Sequence, residues 1–300
     1  MALTNTSTAA GGLGRTIGDA VIAFNHVNVM YPLCTVQQAA RGSNHVQFSD
    51  WTKLTSSNVT EATQATTTTA VAITSAARTA TVSEHVIAST VSDLVLMGSN
   101  DDITGQAGTA LGNAVAAKLD DDMVELGKAF SQTECGAGTA LALSHIFGAM
   151  RQLRAASAPM PYNLVLSPKQ VWGGKGLISL LHNTALDTAG SSTTDTATAR
   201  PIGMMGDKGN EAFGVGYITS IAGFNVYWSD QIDENVGSGD AAGFAFSKGG
   251  LGIGVGAEGL FRIATERDEM LRAVNYVATG FWGEIEIKDT FGVYILTDVS

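Results

Sequence analysis

The run Gly254-Val255-Gly256-Ala257-Glu258-Gly259 is the first place in this chain to look for chemistry. GxGxxG is the spacing that lets a backbone turn approach a dinucleotide pyrophosphate, but it needs a strand before it, a helix after it and a βαβ unit around it. Here it sits in a glycine-rich stretch near the end of the sequence, with no long helical pattern behind it, and reads as a tight turn. Trp172-Gly173-Gly174-Lys175-Gly176 lacks the spacing and the Ser/Thr of a phosphate loop. The five histidines, His26, His45, His85, His145 and His182, form no HExxH or other ligand spacing. His145 reads as packing or a local hydrogen bond, and Glu84-His85 as an exposed pair. Asp120-Asp121-Asp122 fall about 100° apart on a helix, so they do not converge on one ion and read as a solvated face. Cys34 and Cys135 are the only thiols; they make neither a disulfide scaffold nor a CxxC metal site and read as buried and inert. No serine stands in GxSxG, and neither cysteine has a catalytic surround. The residues therefore point to no catalytic, cofactor-binding or metal site and to no enzyme. A nucleotide-dependent enzyme resting on Gly254, Gly256 and Gly259 is the distant alternative.

Composition turns attention from chemistry to contact. Charged residues are 15% of 300, against roughly 25% in soluble domains, and Gly is 35, about 12% against a usual ~7%. Hydrophobic residues are 45%, so the chain is globular rather than disordered. It has little charge with which to cover a free monomer, which fits either a low-charge monomer or extensive contact with other chains. Net charge is −11, which argues against a dedicated nucleic-acid binder, whose footprint is basic. The opening MALTNTSTAAGGLGR has no basic region leading into an apolar core, and no stretch approaches the ~20 apolar residues of a membrane helix, so neither secretion nor a membrane partner is expected.

The elements follow from periodicity. Residues 1–32 read as a polar arm, ordered only against something else. Residues 33–90 are Thr-rich with alternating Val46, Phe48 and then Val71, Ile73, Val82, which reads as a long two-stranded ribbon with a polar tip. Such a ribbon is marginal alone in water. It must lie on its own domain's core or across a neighbouring chain, unless the segment is a disordered linker. Leu111, Val115, Leu119, Met123, Leu126 and Phe130 put one apolar stripe on a helix of roughly 28 residues, begun by Asn100-Asp101-Asp102. A second helix is expected over about Thr139–Ala156, with Leu143, Ile146, Phe147, Met150 and Leu153 as its stripe. A strand follows at Tyr162–Leu166. A third helix, capped by Ser167 with Pro168 and Gln170, runs to about Leu181. Residues 183–210 read as a loop. Short strands are expected at 216–221, 224–228, 244–246 and 251–255. A closing antiparallel sheet takes Leu271–Thr279, a break at Gly280, Phe281–Lys288, and Val293–Leu296. The class is α+β.

The order of these elements resembles a tailed-bacteriophage major capsid protein of the Hong Kong 97 fold. SEHVIASTVSDLVLMGSNDDITGQAGTALGNAVAAKLDDDMVEL is similar to a ribbon's return strand leading into the family's spine helix. HIFGAMRQLRAASAPMPYNLVLSPKQVW is similar to its axial domain. AGFNVYWSDQI is similar to the strand after its variable loop, and RAVNYVATGFWGEIEIKDTFGVYILTDVS to its peripheral sheet. The resemblance implies an N-terminal arm over 1–32, an extended β-ribbon loop over 33–90, and a peripheral domain with the spine helix over 91–135. It implies an axial domain over 136–255 and the peripheral closing sheet over 256–300. It implies a structural protein of the virion, assembled in the host cytoplasm into pentamers and hexamers of an icosahedral shell that encloses double-stranded DNA without sequence-specific binding. Its partners would be itself, a separate scaffolding protein, a portal and decoration proteins. Intersubunit contacts are expected at Val46, Phe48, Trp51, Lys53, Thr66, Thr68, Val71, Ile73 and Arg78. The family's type member cross-links a ribbon lysine to a neighbour's asparagine; Lys53 and Asn275 are the candidates, and no signature supports that bond. A nanocompartment shell of the encapsulin kind shares the fold and is the nearer alternative.

Overall fold

The computed structural model describes residues 28–62, 64, 67, 70–98, 103–173, 175–177, 217–221, 223–237 and 239–299. The arm as far as residue 27 and the 183–210 loop therefore lie outside the described residues. In chain order the elements are β1 (Thr35–Gln38), β2 (His45–Trp51), β3 (Ser75–Thr81), β4 (Ser83–Ser92), α1 (Asp93–Gly98), α2 (Ile103–Lys128), β5 (Thr133–Ala140), α3 (Leu143–Ala155), β6 (Tyr162–Leu166), α4 (Pro168–Trp172), β7 (Tyr217–Ile221), β8 (Phe224–Trp228), β9 (Asp240–Ser247), β10 (Leu251–Val255), β11 (Phe261–Asp268), β12 (Ala273–Glu286) and β13 (Gly292–Asp298).

The described residues form three sheets. The first is built on β12, which runs unbroken through Gly280 where the sequence suggests a break. β4 flanks one side of β12; β11 and then β10 flank the other, and β1 adds in parallel to β10. The second sheet has the order β5-β13-β9-β6-β8-β7. The third is the ribbon, β2 against β3, in register from His45↔Thr81 to Trp51↔Ser75. The paired ribbon is thus shorter than the 33–90 segment, because β1 and β4 within that segment join the first sheet. His85 on β4 is no exposed ribbon residue: its ring stacks on Trp282 at 4.0 Å between centroids.

The last strand departs from the sequence expectation. β13 is not part of the closing sheet but pairs with β9 and β5 in the second. A 3₁₀ turn at Asp289–Phe291 redirects the chain, and Asp289 holds it by accepting a hydrogen bond from the Ser131 backbone N–H at 2.8 Å. β13 then presents Val293 and Ile295 to α3, and Tyr294 and Leu296 to the core around α2. Alternation of this kind satisfies two cores at once because successive strand side chains point to opposite faces. β10, from the 136–255 segment, likewise sits in the first sheet.

The α2 stripe is as spaced in the sequence. Leu111, Val115, Leu119, Met123 and Phe130 are buried with Tyr276, Ala278 and Trp282 of β12 and Phe244 and Phe246 of β9. A second row, Ala116, Asp120 and Val124, is buried beside it. Asp120, 2% exposed, is a correction to the solvated-face reading. Its two carboxylate oxygens accept the backbone N–H groups of Val29 at 2.8 Å and Met30 at 3.0 Å, which fixes where the N-terminal segment meets the helix. Burial raises its pKa to about 7, against the pull of those two hydrogen bonds. Asp121 pairs with Lys118, and Asp122 accepts from Lys118 and from the Trp282 indole N–H.

α3 begins at Leu143, later than expected, because β5 takes Thr139 and Ala140. Ile146, Ala149 and Leu153 are its buried positions, while Phe147 of the expected stripe is exposed. The cap on α4 is as read: Ser167 Oγ accepts from the Gln170 backbone N–H, and Gln170 Oε1 accepts from the Ser167 N–H.

Candidate intersubunit surface

The ribbon has two halves with different physics. Its root is seated on its own subunit. β2 alternates buried Val46 and Phe48 with exposed His45, Gln47 and Ser49. These two side chains and Ala80 of β3 pack with Ala39 and Ile287 as a small core. The floor under them is made of glycine. A Cβ on Gly254 would lie 3.0 Å from Val46 Cγ2, and one on Gly283 would lie 2.1 Å from the Thr81 carbonyl oxygen. Only a residue without a side chain lets the ribbon lie this close to β10 and β12.

The GxGxxG spacing is thereby explained. Gly254 is ribbon seat. Gly256 and Gly259 close the turn between β10 and β11 through the Gly259 N–H to Gly256 O bond at 3.1 Å, with Gly259 at φ +116°. The turn joins two strands, so the strand-turn-helix geometry of a dinucleotide site is absent at this run. An ion pair completes the root: Lys288 Nζ lies 2.8 Å from Asp50 and 4.9 Å from the centre of the Phe291 ring.

Val46 and Phe48, expected at a contact with another subunit, are therefore covered by their own chain. The structure corrects that reading for these two residues. The reason is local: the apolar side chains nearest the root meet the glycine floor first. Arg78 is exposed opposite Phe48 in register, and its charge offsets part of the rise that burial and Asp289 impose on the Glu286 carboxyl.

Beyond Trp51 the ladder ends with Thr52 bonded to Thr74 through backbone, at 2.9 Å, and through hydroxyls. From there Trp51, Leu54, Val59, Val71 and Ile73 are all exposed, Trp51 by 61%. Lys53 donates to the Ser157 hydroxyl just after α3, a contact within the chain. Its candidate cross-linking partner, Asn275, accepts from the Thr90 hydroxyl at 2.7 Å on the first sheet. Thr66 and Thr68 lie outside the described residues.

The remaining chemical candidates stay scattered. His45 meets the Thr81 hydroxyl, and His145 Nδ1 accepts from the Ala142 N–H at 3.2 Å at the start of α3. Cys34 is buried, and burial pushes its thiol far up; Cys135 is half-buried and also raised, by burial first. Among the described residues no three His, Cys, Asp or Glu side chains gather as a metal cluster. Asp120 is the residue sequence reading missed. Its signal was spacing, four positions after Ala116 and four before Val124.

No protein-family model matches the sequence, and no curated protein matches it. Solved structures do match in fold. A chain of Mycobacterium phage Che8 superposes with a TM-score of 0.57 at 16% identity over 84% of both chains. The capsid of the cyanophage P-SCSP1u gives 0.58 at 14% identity over 88% of this chain and 86% of that one. The holo-SrpI encapsulin complex of Synechococcus elongatus gives 0.60 at 10% identity over 90% and 88%. The chain has the mixed helix-and-sheet fold of the Hong Kong 97-type phage capsids.

Proposed function

We propose that this protein is a shell-forming major capsid protein of a tailed bacteriophage. Its subunits would join into pentamers and hexamers of an icosahedral head that encloses double-stranded DNA. The observation that carries the reading is the outer half of the ribbon. Five large apolar side chains are exposed there, Trp51 at the end of the two-stranded ladder and Leu54, Val59, Val71 and Ile73 in the segment beyond it; a two-stranded element is marginal without further burial. Covering each gains on the order of 1 kcal/mol or more, repeated at every subunit contact. The surface that covers them is a neighbouring copy, so the ribbon's energy belongs to the assembly.

The acidic balance of −11 suits a wall around DNA rather than a grip on it, since phosphate binding needs clustered cations. A scaffolding protein, a portal and decoration proteins are the partners this role calls for, and the virion is its place. The encapsulin neighbour favours a second reading, a cellular compartment with the same shell and protein cargo. Genes beside this one would separate the two: a portal and terminase for a phage, a cargo enzyme with a docking tail for a compartment. Negative-stain microscopy of the purified full chain tests both at once. Closed shells are expected; monomers persisting at every concentration, with and without a scaffold, would overturn the shell.

A further inference from the structure

The outward face of α3 carries side chains that the subunit's own packing does not use. Ile146, Ala149 and Leu153 face the core. Phe147, Arg151 and Arg154, spaced by four and three, line the opposite, exposed side over about 10 Å of helix. Phe147 is 57% exposed, and Met160, just past the helix, is 68% exposed. Arg154 reaches Met160 through Nη2, 3.8 Å from the sulfur. The chain leaves the helix at Ser157, which takes a left-handed φ of 58° while its N–H donates to the Arg154 carbonyl at 3.0 Å. Glycine is the usual residue at such a position. Serine adds a hydroxyl, and Lys53 of the ribbon donates to it. Lys53, Arg151 and Arg154 thus gather around the C-terminal half of α3. Arg151 has Glu134 at 3.8 Å, but the same Glu134 oxygen already accepts from Gln152 at 2.6 Å. Among the described residues neither Lys53 nor Arg154 has an ion pair. Acid partners are plentiful in a chain with 28 acidic residues to 17 basic. Lys118, Lys128, Lys175, Arg267 and Lys288 each have a carboxylate at 3.0 Å or less.

We infer that this face of α3 docks an acidic segment of a different protein, with an apolar residue to set on Phe147 and carboxylates one to two turns along to meet Arg151 and Arg154. The inference goes beyond the shell reading and does not depend on it. Its first support is composition: Arg, Met and aromatic side chains together, exposed in one stripe, are what the cores of protein interfaces are enriched in. Its second support is charge. Arg151 and Arg154 lie one turn apart, and a guanidinium without a close acid of its own is free to take a carboxylate in a two-armed contact. A short acidic segment brings only the few charges this patch can meet. A nucleic acid brings a long row of phosphates, which a chain of net charge −11 repels along its length. Its third support is preorganisation. The stripe stands on a regular helix, Arg154 is steadied by Met160, and Lys53 is held by Ser157, so less freedom is lost on docking.

The test titrates the full-length chain into a short fluorescein-labelled peptide of Leu and Glu, apolar at one end and acidic over the turns that follow, and reads fluorescence anisotropy. The same peptide with Gln for every Glu, and single- and double-stranded DNA of mixed sequence, are run beside it. The Leu/Glu peptide is expected to bind saturably. Binding should weaken about tenfold or more in the Gln peptide, in high salt and in Arg151→Gln/Arg154→Gln, and severalfold in Phe147→Ser. Circular dichroism should be unchanged in both variants, because the replaced side chains are exposed. Should either variant unfold, Lys53→Gln, outside the helix, must weaken the Leu/Glu peptide by itself, and unchanged binding there would overturn the inference. So would the absence of saturable binding by the unaltered chain, or equal binding of the two peptides. DNA bound as tightly as the peptide, and lost with the same two arginines, would assign the face to phosphate and overturn the protein partner. Self-assembly lost in the arginine variant with peptide binding unchanged would assign the face to a second copy and overturn it equally. Failure of the unaltered chain to form shells would count against the shell reading alone.

Discussion

The two halves of the ribbon carry the same kind of sequence, alternating and Thr-rich with sparse charge, yet they have opposite fates. Near the root, Val46 and Phe48 find Gly254, Ala80 and Ile287 and disappear into the subunit. A few residues on, Trp51, Leu54, Val71 and Ile73 find nothing and stay in water. The difference lies in what stands opposite. A glycine floor lets backbone meet backbone at the root, and beyond Thr52–Thr74 the chain has left the floor. On the proposed reading, an apolar residue in this ribbon stabilises the subunit near the root and the assembly beyond it.

That division can be broken by substitution. The largest effect on the isolated subunit is expected from Phe48→Ala, which empties the root core and should cost about 3–5 kcal/mol by urea unfolding. A loss under about 1 kcal/mol would mean that the root is not seated as described. A control away from the ribbon comes next. Burial raises the Asp120 carboxyl to about 7 from an ordinary 3.8. Between these values the folded chain keeps a proton that the unfolded chain releases, so stability should fall as pH rises from about 4 to about 7, by up to about 4 kcal/mol. Asp120→Asn should remove that slope over the same window; an unchanged slope would place the linkage elsewhere. Smaller still is Asp50→Asn, which breaks a half-exposed ion pair with Lys288. It should cost at most about 1 kcal/mol, and less in high salt. Smallest on the subunit is Trp51→Ala, expected to shift unfolding by less than about 0.5 kcal/mol while impairing assembly.

How much of this was legible in the sequence depended on distance along the chain. The four-residue spacing of Leu111, Val115, Leu119 and Met123 is a local signal, and the helix it implies is there. So is the Ser167–Gln170 cap, and so are the strands at Tyr162–Leu166, Phe224–Trp228 and Leu251–Val255. Partnership was not legible. Val293 and Ile295 alternate in the same way whichever sheet receives them, and only the turn at Asp289 decides. Gly280 reads as a break, but β12 continues through it with the Trp282 ring packed against it. The β11 strand, Phe261–Asp268, carries an Arg-Glu-rich stretch that hides its alternation. The candidate site was half legible: the ribbon and its exposed tip follow from alternation and low charge. Which of its apolar residues the subunit keeps for itself depends on glycines some 200 positions away.

The central claim is that the outer ribbon's burial is intersubunit. It is tested most directly by sedimentation velocity of the full-length chain beside Trp51→Ala/Ile73→Ser, each first matched for unfolding midpoint. Wild-type chain in closed shells and variant chain left as folded, small species is the expected result. A variant that assembles as well as the wild type, or that loses subunit stability in proportion, would contradict it.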